Sequence, residues 1–217
     1  MGLICSCDSV LPTLLDVTCP EDMDQVVKIA FQLLQATPAF TSVLGEEIAP
    51  SARWTDLLAA SDNTKITLSP AVANTVIPPS EMVGAGMDSN ESVNGLGYNL
   101  GETNITVTGE IHSAPQAVID ALDELSCYSD ASLGQSKLTA FFFLRRLKGI
   151  SRVMAKGTGV AGEYTGFEIF NFRVSSPSNE GLNTKTKYMW SFNMQADEWR
   201  GRELVSLAFN PLGLANA

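Results

Sequence analysis

The sequence predicts a mainly β (α+β) fold, a β-sandwich or barrel with one flanking helix, a second short helix and a long loop-bearing hairpin. Three observations predict it. Ile105, Val107, Gly109 and Ile111 alternate with Thr106, Thr108, Glu110 and His112, the period of a strand with one buried face. A helical stripe of Val118, Ile119, Ala121, Leu122 and Leu125 follows, and then 138–144, so apolar that both faces of a strand there must be covered. No internal repeat and no linker divides the 217 residues, so one structural domain over 1–217 is expected.

In chain order, residues 1–19 are small, polar and interrupted by Pro12, and read as an extended N-terminal arm. Such an arm orders only when a sheet or a neighbouring subunit ties it down. Over 25–34 two periods compete. Val27, Ile29, Phe31 and Leu33 fit a strand, while Met23, Val26, Val27, Ala30, Phe31 and Leu34 behind Pro20 fit a helix. The density of β-branched and aromatic residues favours the strand. Residues 35–50, with Pro38, Gly45 and Pro50, read as loop, and Ser51 opens a short helix whose Trp54, Leu57 and Leu58 recur at i, i+3 and i+4. A strand over 65–69 ends at Pro70, and a second near 75–77 runs into Pro78 and Pro79.

Residues 81–102 hold Gly84, Gly86, Gly95, Gly97 and Gly101 among Asn, Asp and Ser, and show no period. Neither GxxxxGK[ST] nor a GxGxxG between strand and helix is present, so phosphate binding is not expected, and the stretch reads as a long loop, a hairpin tip or an inter-subunit loop. Ser113 and Gln116 have capping-box spacing around Pro115, which starts the flanking helix near Ala114. After the 138–144 strand, RRLKG turns the chain and 150–156 returns as its neighbour. A Gly-rich turn leads to a central strand over 167–174, partly apolar on both faces. Strands over 188–194 and 203–209, joined around DEWRGR, end the chain.

The net charge of −10 hides an asymmetry. Residues 1–144 carry 18 acidic and 4 basic side chains, and residues 145–217 carry 6 acidic and 10 basic. Arg145, Arg146, Lys148, Arg152 and Lys156 crowd one short segment. Such a run serves either as a solvated face or as a basic surface that meets an acidic one on another copy, and these five are the candidate subunit-contact residues. So acidic a chain is a poor ligand for nucleic acid, because affinity requires phosphate neutralisation. No apolar run reaches the roughly 18 residues that span a bilayer, so membrane insertion is not expected. The first residues lack the Lys or Arg of a signal peptide.

Catalysis needs a nucleophile, an acid/base or a metal in a constellation. Cys5, Cys7, Cys19 and Cys127 lack knuckle spacing, so reduced thiols are expected and no metal site. His112, the single histidine, lies on the polar phase of its strand with no nucleophile motif nearby. The pairs Glu46–Glu47, Asp123–Glu124 and Asp197–Glu198 are adjacent in sequence and so diverge. There is no GxSxG, HExxH, DxDxDG or CxxC. No catalytic, cofactor-binding or metal-binding residue is therefore assigned, no cofactor is expected, and the chain does not read as an enzyme.

With an N-terminal arm, a loop-bearing hairpin, a strand–helix–strand unit and a terminal set of strands, the chain resembles the tail-tube (major tail) proteins of long-tailed bacteriophages. The stretches QVVKIAFQLL, RWTDLLAASDNTKITLSP and the strand and turn over 138–150 also look like structural proteins of phages infecting Bacteroidota. The resemblance implies a virion protein, assembled in the host cytoplasm into rings that stack as a tube. It also implies the partners: other copies of itself, other virion proteins, and DNA as passing cargo. The alternatives are another virion part, such as a head–tail connector or a capsid decoration protein, and a monomeric β-sandwich binding module or adhesin.

Overall fold

The computed structural model describes residues 24–42, 45–85, 98–130, 137–145, 149–178 and 185–216. The fold is mainly β. One antiparallel sheet of 11 strands dominates it, and three α-helices pack against the sheet.

Its centre is β8 (Leu138–Arg145), paired along its length with β1 (Gln25–Leu33). On the other side of β8, residues 142–145 pair with β9 (Ser151–Gly157) and residues 138–140 with β11 (Phe167–Val174). From β11 the pairing continues to β12 (Lys187–Met194), β7 (Ile105–His112) and β4 (Val72–Val76). Strand β3 (Ile66–Leu68) pairs with β1 and is separated from β4 only by Ser69, Pro70 and Ala71. Ser69 fastens this bend to β1: its N–H donates to the Ile29 carbonyl at 2.8 Å, and its hydroxyl accepts the Ile29 N–H at 2.9 Å. Pro70, which has no N–H to give a ladder, is where the strand changes partner. The path from β1 through β8, β11, β12, β7 and β4 thus returns to β1 through β3, and the sheet closes as a barrel.

The apolar pattern follows from the closure. Leu138, Ala140, Phe142 and Leu144 of β8 point into the barrel beside Phe31, Ile105, Val107, Phe167 and Phe192. Phe141 and Phe143 point outward into a second core with Trp54, Leu57 and Leu58 of α1 (Ser51–Ala59). A strand covered on both faces must be apolar at nearly every position, as 138–144 is. Strand β1 serves both cores by alternation, with Ile29 and Phe31 inward and Ala30 outward, and a register shift between Val26 and Lys28 turns Val26 inward as well. Helix α2 (Gln116–Glu124) sends Ile119 and Leu122 into the barrel core. Gly109 of β7 lies directly opposite Trp190 of β12, where a side chain would strike the indole.

Several boundaries differ from expectation, each for a local reason. The capping box does not form. Ser113 adopts φ +54° with its N–H on the Thr186 carbonyl, Gln116 donates to Asp120 at 2.8 Å, and Pro115 stands at the N-cap. Ala121 is exposed on α2, so the buried stripe narrows to Ile119 and Leu122. The loop over 35–50 contributes β2 (Phe40–Thr41), and the Gly-rich turn contributes β10 (Glu163–Thr165), which pair with each other. DEWRGR, read as a connection, contains a third helix, α3 (Ala196–Arg200), followed by β13 (Arg202–Ser206) on β9. The aperiodic 81–102 stretch includes β5 (Met82–Ala85) and β6 (Tyr98–Glu102). The proposed arm over 1–19 lies outside the described residues.

Candidate functional site

Strands β5 and β6 pair with each other and, among the described residues, with no other strand. Among the described residues, hydrogen bonds and an ion pair gather at the ribbon's base. Thr103 donates its N–H to the Glu81 carbonyl at 2.8 Å, and its hydroxyl accepts the Glu81 N–H at 2.9 Å. Ser80 donates to one oxygen of the Glu102 carboxylate at 2.6 Å, and the Arg200 guanidinium of α3 pairs with the other. Helix α3 is itself held hard. Trp199 packs on Phe142 and Phe167, and the Arg202 guanidinium lies 5.4 Å over the indole. Glu198 pairs with Lys156 at 2.5 Å and accepts the Glu168 N–H at 3.1 Å. A charge-assisted latch therefore connects the ribbon's root to the barrel wall. A two-stranded hairpin is marginal alone in water.

The five basic residues do not share one environment. Arg145 is exposed at the end of β8, and Arg152 is half-buried on β9 between Leu144 and Ser206. Lys156 faces Glu198 of its own chain. Arg146 and Lys148 lie outside the described residues. Cys5, Cys7 and Cys19 do too, and Cys127 is an exposed free thiol.

His112 sits 3.3 Å from the Glu110 carboxylate through Nε2, and Asn74 donates to the same oxygen at 2.9 Å. Its Nδ1 is buried and, among the described residues, has no hydrogen-bond partner, so no hydroxyl or thiol there is bonded to it as a nucleophile would be. Among the described residues no three His, Cys, Asp or Glu side chains converge as a metal site. Glu46 meets Arg53 at 3.0 Å, and Glu198 meets Lys156 while Asp197 turns toward Arg200.

Two grooves flank the α2 end of the barrel. One, of about 290 Å³, lies between the 3₁₀ turn Leu125–Tyr128 and β11, lined by Asp123, Cys127, Asp130, Asn171 and Arg173. The other, of about 360 Å³, is lined by Leu33, Ala121, Leu125 and Tyr128 together with Asp62, Lys65 and Glu124, and abuts the buried Phe31 and Leu138. Asp62 is fixed there by the Thr64 hydroxyl at 2.5 Å and the Thr64 N–H at 2.9 Å, which together hold its carboxyl below the usual carboxylate range. Sequence spacing could not find this groove, because its walls come from β1, the 61–65 loop, α2 and β8. Nor could it find the latch, whose Glu102 and Arg200 are 98 residues apart.

Comparison with protein-family models, with curated proteins and with solved structures finds no match to this chain. No helix among the described residues is long and apolar enough to cross a membrane.

Proposed function

We propose that the chain is a virion structural protein, a tail-tube subunit that assembles into stacked rings around a DNA conduit. The observation that carries this reading is the β5–β6 ribbon, rooted to a closed barrel by Glu102 and Arg200 and paired with nothing else among the described residues. A two-stranded ribbon is marginal alone, so this one is expected to gain its support from another surface. In a ring of identical subunits that surface lies on the next copy, and the contact is heterologous, with different patches on the two sides of each subunit. The net charge of −10 supports the conduit, since an acidic surface lets DNA pass without retaining it.

Electron microscopy of the purified chain tests the reading. Hollow tubes or stacked rings are expected. Isolated rings would favour a connector, and monomers at every concentration would overturn self-assembly and favour a binding module.

A further inference from the structure

Beyond β13 the chain turns back over the second core and reaches β3 at Asn216. Two main-chain hydrogen bonds hold the start of this return: the Leu207 N–H donates to the Ser151 carbonyl at 2.9 Å, and the Ala208 N–H to the Ala49 carbonyl at 3.0 Å. From Phe209 onward the segment is bonded largely to itself. The Asn210 side chain accepts the Leu212 N–H at 3.1 Å, the Gly213 N–H donates to the Asn210 carbonyl at 3.0 Å, and the Leu214 N–H donates to the Pro211 carbonyl at 3.2 Å, which closes a 3₁₀ turn over Pro211–Gly213. Among the described residues, two side chains make every hydrogen bond between this piece and the body. The Lys28 ammonium of β1 donates to the Leu214 carbonyl at 2.6 Å and reaches the Leu212 carbonyl at 3.5 Å. The Asn216 amide accepts the Leu68 N–H at 2.7 Å and donates to the Leu68 carbonyl at 3.0 Å. Pro211 is buried and Phe209 and Leu214 pack half-buried on the second core, whereas Leu212, Gly213, Ala215 and Asn216 are exposed.

We propose that residues 209–216 are a strap that opens as one unit while the barrel stays folded, with Lys28 and Asn216 as its two clasps, and that its opening bares part of the second core and the outer edge of β3. Segments with few buried apolar contacts and exposed hydrogen bonds open at a lower free energy than the whole fold. The strap has both properties, and its internal bonds make it one piece: when one clasp lets go, the turn swings as a body and pulls on the other. The Lys28 clasp is charge-assisted and is the stronger of the two. The Asn216 clasp does a different task. It occupies the Leu68 N–H and carbonyl with one side chain where a neighbouring strand would otherwise pair, and covering an edge in this way keeps other chains from adding to it. The strap is therefore a releasable guard on β3. The inference holds whether or not the chain assembles into tubes.

Amide exchange followed by NMR on the full chain tests it. In the wild type the Leu68 N–H should exchange at least tenfold faster than the amides of β8, because it is released with the strap and they are not. Lys28→Met keeps the aliphatic stem and removes the donor. Lys28 bonds to neither Leu68 nor Asn216, yet this variant should speed Leu68 exchange at least tenfold further, with the β8 amides unchanged. Urea unfolding supplies a second measurement. Lys28→Met and Asn216→Ala each release the same piece, so the double variant should be no less stable than the weaker of the two single variants. Leu68 exchange that tracks β8 in the wild type, Leu68 exchange unchanged by Lys28→Met, or losses that add in the double variant would each overturn the strap.

Discussion

Replacing Gly109 with alanine should destabilise the barrel through one contact. A Cβ built on Gly109 would lie 2.3 Å from Cζ2 and 2.6 Å from Cε2 of Trp190. Carbon atoms rest at about 3.5–4.0 Å, so the indole must retreat by about 1 Å or more. It has little room. Trp190 is buried, stacks on Phe192 at a centroid distance of 5.6 Å, and borders only a small apolar void with Phe31, Ile111 and Leu122. Overpacking of this kind costs about 1–3 kcal/mol, and replacing glycine where the backbone is ordinary returns about 0.4–1 kcal/mol through the unfolded chain. The net loss is roughly 1–2 kcal/mol, or about 2–8 °C in Tm for a chain of this size. Thermal and urea unfolding read it directly, with Gly213→Ala, where nothing lies within 4 Å, as control. A Trp190→Phe background should shrink the penalty, because the atoms that clash are gone. Wild-type stability of Gly109→Ala, or an equal penalty in the Trp190→Phe background, would show that the contact with the indole is not what costs stability.

Other predictions address the latch, the last described residues and two titrating groups. Arg200→Met should free the root of the ribbon and raise protease cleavage within 81–102 severalfold at unchanged global stability, because an exposed charge pair contributes little to folding. The Asn216 amide accepts the Leu68 N–H at 2.7 Å and donates to the Leu68 carbonyl at 3.0 Å, acting as a substitute strand on the free side of β3. Asn216→Ala should cost about 1–2 kcal/mol in urea unfolding and speed amide exchange at Leu68. Thr64→Val removes the hydroxyl that keeps the Asp62 proton off, so the Asp62 carboxyl should titrate at higher pH by NMR. In the wild type this group stabilises the fold above about pH 3.8 and loses that contribution as pH falls through its lower folded-state value. Tyr164 is pushed the other way, by burial first and then by the charge and hydrogen bond of Glu203. The folded state keeps that proton longer, so its contribution is present below pH 10 and fades as pH rises further, and Tyr164→Phe should flatten the alkaline limb of the stability curve.

Much of the fold was legible where one physical demand dominated. The alternation over 105–112 and the unbroken apolar run over 138–144 reported one-sided and two-sided burial directly, and Trp54, Leu57 and Leu58 marked the core face of α1. Residues 25–34 were ambiguous because β1 feeds both cores and shifts register at Val26, which blurs a period of two. The Ser113–Gln116 spacing misled because Thr186 claims the Ser113 backbone from a strand edge far along the chain. Helix α3 was missed because it is five residues long and is held by Trp199 packing and the Glu198–Lys156 pair more than by any periodicity. The candidate site was legible only in part. Arg145, Arg152 and Lys156 stood out as a charge run, but only the fold shows that Lys156 faces Glu198 of its own chain.

In the proposed tube the β5–β6 ribbon joins one copy of this chain to the next. Glu81 and Thr103 are hydrogen-bonded neighbours, so residues 82–101 can be replaced by a short Gly-Ser turn without opening the barrel. Electron microscopy of the wild type beside this variant is the most direct measurement. Tubes from the wild type, and only unassembled barrels of unchanged circular dichroism from the variant, are the predicted result. Tubes from both, or monomers from both, would contradict it.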